Sequence, residues 1–107
     1  MIAFEVRLNG KRICIAGAED LAVLNTIITA SGKLGRKTVP ARADDMNGEV
    51  HYSVGGLTGR PDTDKDVHVR WKSVAPLQVG DVIQVKVLDA KKADRAKSRE
   101  KAIRKRR

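Results

Sequence analysis

The chain has 107 residues and a formal net charge of +9, with 41% hydrophobic but only 3% aromatic residues. That length predicts one domain with a modest core of Val, Ile and Leu, because Phe4, Tyr52 and Trp71 are the only aromatics. No apolar run is long enough to span a bilayer, the first residues lack a signal-peptide core, and the single cysteine, Cys14, excludes an intrachain disulfide, so a cytoplasmic, reducing compartment is expected.

Ile2, Phe4, Val6 and Leu8 alternate with Ala3, Glu5 and Arg7, and Ile13 and Ile15 resume the alternation. Between them Asn9-Gly10 supplies the two positive-φ residues of a type I′ turn, so Phe4 to Ala16 is predicted to form a β-hairpin. From residue 19 the period changes. Leu21, Leu24 and Ile28 lie at i, i+3 and i+7, with Val23 and Ile27 widening the stripe. Glu19 and Asp20 suit a helix N-terminus and Gly32 a C-terminal stop, so a helix of about three turns is expected over 19–30. The β-branched run Thr26-Ile27-Ile28-Thr29 makes a strand over 23–29 the competing reading.

Residues 31–48 read as loop, broken by Gly32, Gly35, Pro40 and Asn47-Gly48. Val50, Tyr52 and Val54 alternate again, as do Val67, Val69 and Trp71. The Gly- and Asp-rich stretch 56–66 between them predicts a second hairpin with an exposed tip. Leu77–Leu88 follows Pro76. Gly80-Asp81 reads as a turn, and Val82, Ile83, Val85, Val87 and Leu88 place apolar residues on both faces of one strand. That pattern predicts a strand covered on both sides, the spine of the sheet.

The order hairpin, helix, hairpin, final strand resembles a β-grasp (ubiquitin-like) roll over residues 1–90. The expected class is therefore α+β, in ββαββ order, with a central final strand beside the first. A small β-sandwich or half-open barrel is the alternative. Residues 91–107 are expected to form a separate basic tail, disordered or partly helical, because its few apolar residues make no buried stripe and its charges repel.

The tail carries the most distinctive chemistry. Lys91, Lys92, Arg95, Lys97, Arg99, Lys101, Arg104, Lys105, Arg106 and Arg107 face only Asp94 and Glu100, while residues 1–90 hold twelve cations against eleven acids. Such asymmetry points to a polyanion, either nucleic acid held by its phosphate backbone or an acidic protein surface. Lys33, Arg36 and Lys37 form a possible secondary basic patch. Tyr52 and Trp71 fall on apolar strand faces, which assigns them to packing and leaves no base-stacking platform.

Other motifs carry less. His51 and His68 share a polar phase and could lie close, but a third metal ligand is missing. Cys14 shares the phase of Arg12, which would turn it outward. Asp62, Asp64 and Asp66 imitate the start of a calcium loop, but Val67 and Ser73 stand where Gly and Glu are needed. Gly55-Gly56-Leu57-Thr58-Gly59-Arg60 lacks the Lys-Ser/Thr of a phosphate loop, and turn geometry accounts for its glycines. No nucleophile or acid–base constellation is evident. The expectation is a non-enzymatic binding protein without metal or cofactor. The alternative is a protein-interaction module (an inhibitor, immunity factor or accessory subunit) acting through a sheet edge or the 56–66 loop.

Overall fold

The computed structural model describes residues 1–42, 47–62 and 65–101. Seven strands follow one another: β1 (Ile2–Leu8), β2 (Lys11–Ala16), β3 (Leu21–Ser31), β4 (Glu49–Thr58), β5 (Val67–Leu77), β6 (Ile83–Asp89) and β7 (Ser98–Lys101). They form two antiparallel sheets, ordered β2-β1-β6 and β3-β4-β5-β7. The core lies between them, where Val6, Cys14 and Ala16 of the first sheet meet Val54, Val69 and Trp71 of the second. This is the sandwich alternative, and the β-grasp expectation is overturned, since the described residues contain no α-helix.

The stretch expected to be that helix is β3, and a bulge explains the deceptive spacing. Leu21 pairs with Thr58 but Val23 pairs with Leu57, so the register slips by one residue between them. Both Leu21 and Leu24 consequently turn toward the core, which imitates an i, i+3 helical pair. Beyond the bulge plain alternation holds, and the β-branched residues suit it.

The first hairpin forms as its turn residues dictate, with Asn9 at φ 52° and Gly10 at φ 81°. Its tip is clamped to the turn before β6. The Asn9 N–H donates to the Val82 carbonyl (2.8 Å), and the Val82 N–H donates to Asn9 Oδ1 (2.9 Å). Asp81 Oδ2 accepts the Gln78 N–H (2.7 Å) and Oδ1 accepts Asn9 Nδ2–H (3.0 Å). The Gln78 amide, then the Asn9 amide, hold the Asp81 carboxyl below its ordinary pKa.

β6 pairs with β1 as expected of the final strand, but it lies at the edge of its sheet and not in the middle. Ile83 reaches the core, whereas Val85 is 41% and Val87 67% exposed. The apolar run from Val82 to Leu88 is therefore not covered on both faces, because the second sheet does not extend over β6.

Candidate polyanion-binding surface

The chain beyond β6 does not leave the body. Instead, residues 90–101 lace the two sheets together. The Ala90 N–H donates to the Met1 carbonyl (2.9 Å), continuing the β1–β6 ladder. Asp94 then closes the free edge of β2. Its N–H donates to the Ile15 carbonyl, and its Oδ2 accepts the Ile15 N–H, each at 2.8 Å. Its carbonyl accepts the indole N–H of Trp71 (2.7 Å), and the Lys97 N–H donates to the Arg70 carbonyl (2.8 Å). Ala96 packs against the core. Ser98–Lys101 finally adds β7 to the edge of β5, with Arg70 opposite Ser98, Val69 opposite Arg99, His68 opposite Glu100 and Val67 opposite Lys101.

A disordered or partly helical tail over this stretch is therefore replaced by an ordered connector and a strand. The physical reason is backbone satisfaction. The outer edges of β2 and β5 offer unpaired N–H and C=O groups, and an extended segment completes them.

Lys91, Lys92, Arg95, Lys97, Arg99 and Lys101 are all exposed. None of these six forms an ion pair among the described residues. Arg104, Lys105, Arg106 and Arg107 lie outside the described residues. The secondary patch is placed elsewhere. Lys33 folds back on its own loop, donating from Nζ to the Arg36 carbonyl (3.2 Å) and the Thr38 carbonyl (3.0 Å). Arg36 and Lys37 are exposed on the β3–β4 connector. That connector leaves the end of the sheet where Ser31 pairs with Glu49, whereas β7 flanks the stretch opposite Gly55–Leu57. Six to eight strand residues, roughly 20–26 Å, separate the two basic regions.

Other sequence features resolve into structural roles. Tyr52 and Trp71 are core residues, 3% and 2% exposed. Cys14 is buried and points inward, contrary to its phase with Arg12. The register slips between Val6–Cys14 and Arg7–Arg12, and the bulge separates the two residues. Burial raises the Cys14 thiol pKa, the Asp94 charge adds to that, and Lys97 and Lys72 oppose it.

His51 sits opposite Pro76 and His68 opposite Leu57, six residues apart along β4, roughly 20 Å, so the imidazoles do not meet. Among the described residues no three His, Cys, Asp or Glu side chains converge as metal ligands. Asp64 lies outside the described residues. Asp66 is buried, accepting from Thr58 Oγ1 (3.2 Å) and the Arg60 N–H (2.9 Å), while Arg60 Nε–H donates to Asp20 (3.0 Å). The base of the 56–66 loop is thus pinned down. Gly55 and Gly56 lie inside β4, not in a turn.

Sequence reasoning missed two participants, Asp94 as the residue that docks the tail and Lys72 as a body cation beside it. One signal for the strand was present: Lys97-Ser98-Arg99-Glu100-Lys101 alternates in charge with period two. Among the described residues no helix is long and apolar enough to cross a membrane. No protein-family model, curated protein or solved structure matches the chain.

Proposed function

We propose that this is a nucleic-acid-binding protein that engages the phosphate backbone through the cations of residues 91–107 and performs no catalysis. The observation that supports this most is that six exposed tail cations have no carboxylate partner among the described residues, although the segment itself is anchored. An anchored backbone spares the cost of ordering the segment, so binding orders only the side chains, and each cation engaged releases condensed counterions. The burial of Tyr52 and Trp71 argues for backbone contact without base stacking. The free, buried thiol of Cys14 fits a reducing compartment, the cytoplasm.

The test is the affinity of the full chain for duplex DNA and duplex RNA of arbitrary sequence, measured against salt. A variant carrying Gln in place of Lys91, Lys92, Arg95, Lys97, Arg99 and Lys101 is compared with it. Six engaged phosphates give a slope of about −5 in log K against log salt, and the variant loses most of it. A flat salt dependence, or equal affinities, would reject the reading.

A second reading, a protein partner at the free β6 edge, is favoured by Ile2, Val85 and Val87. These three occupy one face of the β1–β6 ladder and are exposed. Under that reading the partner is lost when Val85 and Val87 become Lys and is retained by the tail-Gln variant.

A further inference from the structure

The strand conformation of β7 sorts the tail's charges by face. Residues directly opposite one another in an antiparallel pair project to the same side. Arg99 is opposite Val69 and Lys101 opposite Val67, and both valines face the core side of the second sheet. Ser98 and Glu100, opposite Arg70 and His68, fall on the other side. Alternate strand residues lie roughly 6.6 Å apart, so Arg99 and Lys101 project together from the edge of the sheet, and Lys97 precedes the strand with its N–H on the Arg70 carbonyl (2.8 Å).

A bulge in β5 turns a body residue the same way. Gly55 pairs with Arg70 while its neighbour Val54 pairs with Lys72, which leaves Trp71 as the extra residue. The slip sets Lys72 opposite the core-facing Val54, where unbroken alternation from Val69 and Trp71 would have sent it to the other face. The Lys97 N–H donates to the Arg70 carbonyl, two residues before Lys72 on β5, and both lysines act electrostatically on the buried Cys14 thiol. Neither is ion-paired among the described residues. Of the two tail acids, Glu100 falls on the other side of β7, opposite His68, and Asp94 has its Oδ2 occupied by the Ile15 amide.

We infer that Lys72 joins Lys97, Arg99 and Lys101 in one cationic face along the β5–β7 edge, and that a nucleic-acid phosphate backbone lies along it. This rests on the proposed function and locates it on the body. Several cations held along one sheet edge suit a polymer that carries charge along its whole length. The face also lacks any exposed aromatic that would read bases.

The experiment uses the full chain, a short duplex of arbitrary sequence, and the variants Lys72→Gln and Lys86→Gln. Lys86 is an exposed cation on β6, paired in register with Glu5 on the other sheet, so the two variants remove equal charge from different places. Lys72→Gln is expected to weaken binding about fivefold at low salt and to reduce the salt slope by about one. Lys86→Gln is expected to leave both nearly unchanged. Lys72→Arg keeps the charge and restores binding, which separates a lost contact from a damaged fold. Equal behaviour of the two Gln variants, with wild-type binding intact, overturns the face and leaves the tail reading standing. If the wild type shows no salt-dependent binding, both fall together. If polyglutamate is bound and the duplex is not, the assignment to nucleic acid is overturned.

Discussion

Gly56 lies in the middle of β4 beneath the carbonyl oxygen of Val23, at the bulge of β3, and a Cβ there would run into that oxygen. Gly55 faces the opposite neighbour, where a Cβ would come 2.8 Å from the Val69 carbonyl oxygen. The two glycines therefore let β4 accept irregular strands on both sides. Because the obstacle at Gly56 is backbone, it cannot swing aside as a side chain would. Gly56→Ala is expected to cost about 3 kcal/mol, seen as a drop of roughly 10–20 °C in Tm. A variant melting with the wild type would mean that the β3 bulge relaxes freely. The same local logic makes Asp94 a docking residue: one residue satisfies the Ile15 N–H and C=O and the Trp71 indole.

Among the elements, the β7 connection has the clearest energetic consequence. A chain ending at Ala90 would uncover Trp71, leave its indole N–H without its acceptor, and strip the outer edge from β5. That truncation is expected to cost about 3 kcal/mol, readable in a thermal melt. Replacing Lys91, Lys92 and Arg95 by Gln is expected to leave Tm unchanged, since those exposed side chains form no ion pair among the described residues. Equal melting of the truncated and full chains would show that the lacing contributes no stability. The same elements show what could be read from sequence. The β1–β2 hairpin was legible because Asn9-Gly10 and strict alternation agree. The Val50–Val54 and Val67–Trp71 strands were legible for the same reason. β3 was not, because its bulge converts a strand's period into a helix-like one at Leu21 and Leu24. The tail was not, because its tie to the body joins residues far apart in sequence, Asp94 with Ile15 and Trp71 and Lys97 with Arg70, and only the period-two charge of residues 97–101 announces it. The cations of the candidate surface were identifiable by composition alone, but Lys72 was not, since a slip in β5 decides which way it points.

For the whole molecule, the extents of 48 × 43 × 18 Å describe a flat body whose sheets overlap only in part. The shared core sits near β2, β4 and β5, and β6 overhangs it. Val85→Asp is consequently expected to cost less than about 1 kcal/mol, while Val6→Asp, which places a charge in the fully buried centre, prevents folding. Comparable losses for the two would mean that β6 is covered in solution, and light scattering would then reveal a second copy on it.

The pairing of the sheets also bears on the speed of folding. β1 pairs with β6 more than seventy positions later, with Ile2 opposite Asp89. Until that partner arrives, one edge of the N-terminal hairpin stays open. The contacts at Ile15 and Arg70 are supplied by residues 94 and 97, and that at Ile15 spans 79 positions. Such non-local pairing makes folding slow relative to helical domains of this size. The anchoring of residues 90–101 therefore depends on contacts that span most of the chain, with Ala90 on Met1 and Asp94 on Ile15 the longest of those that hold the cations in place.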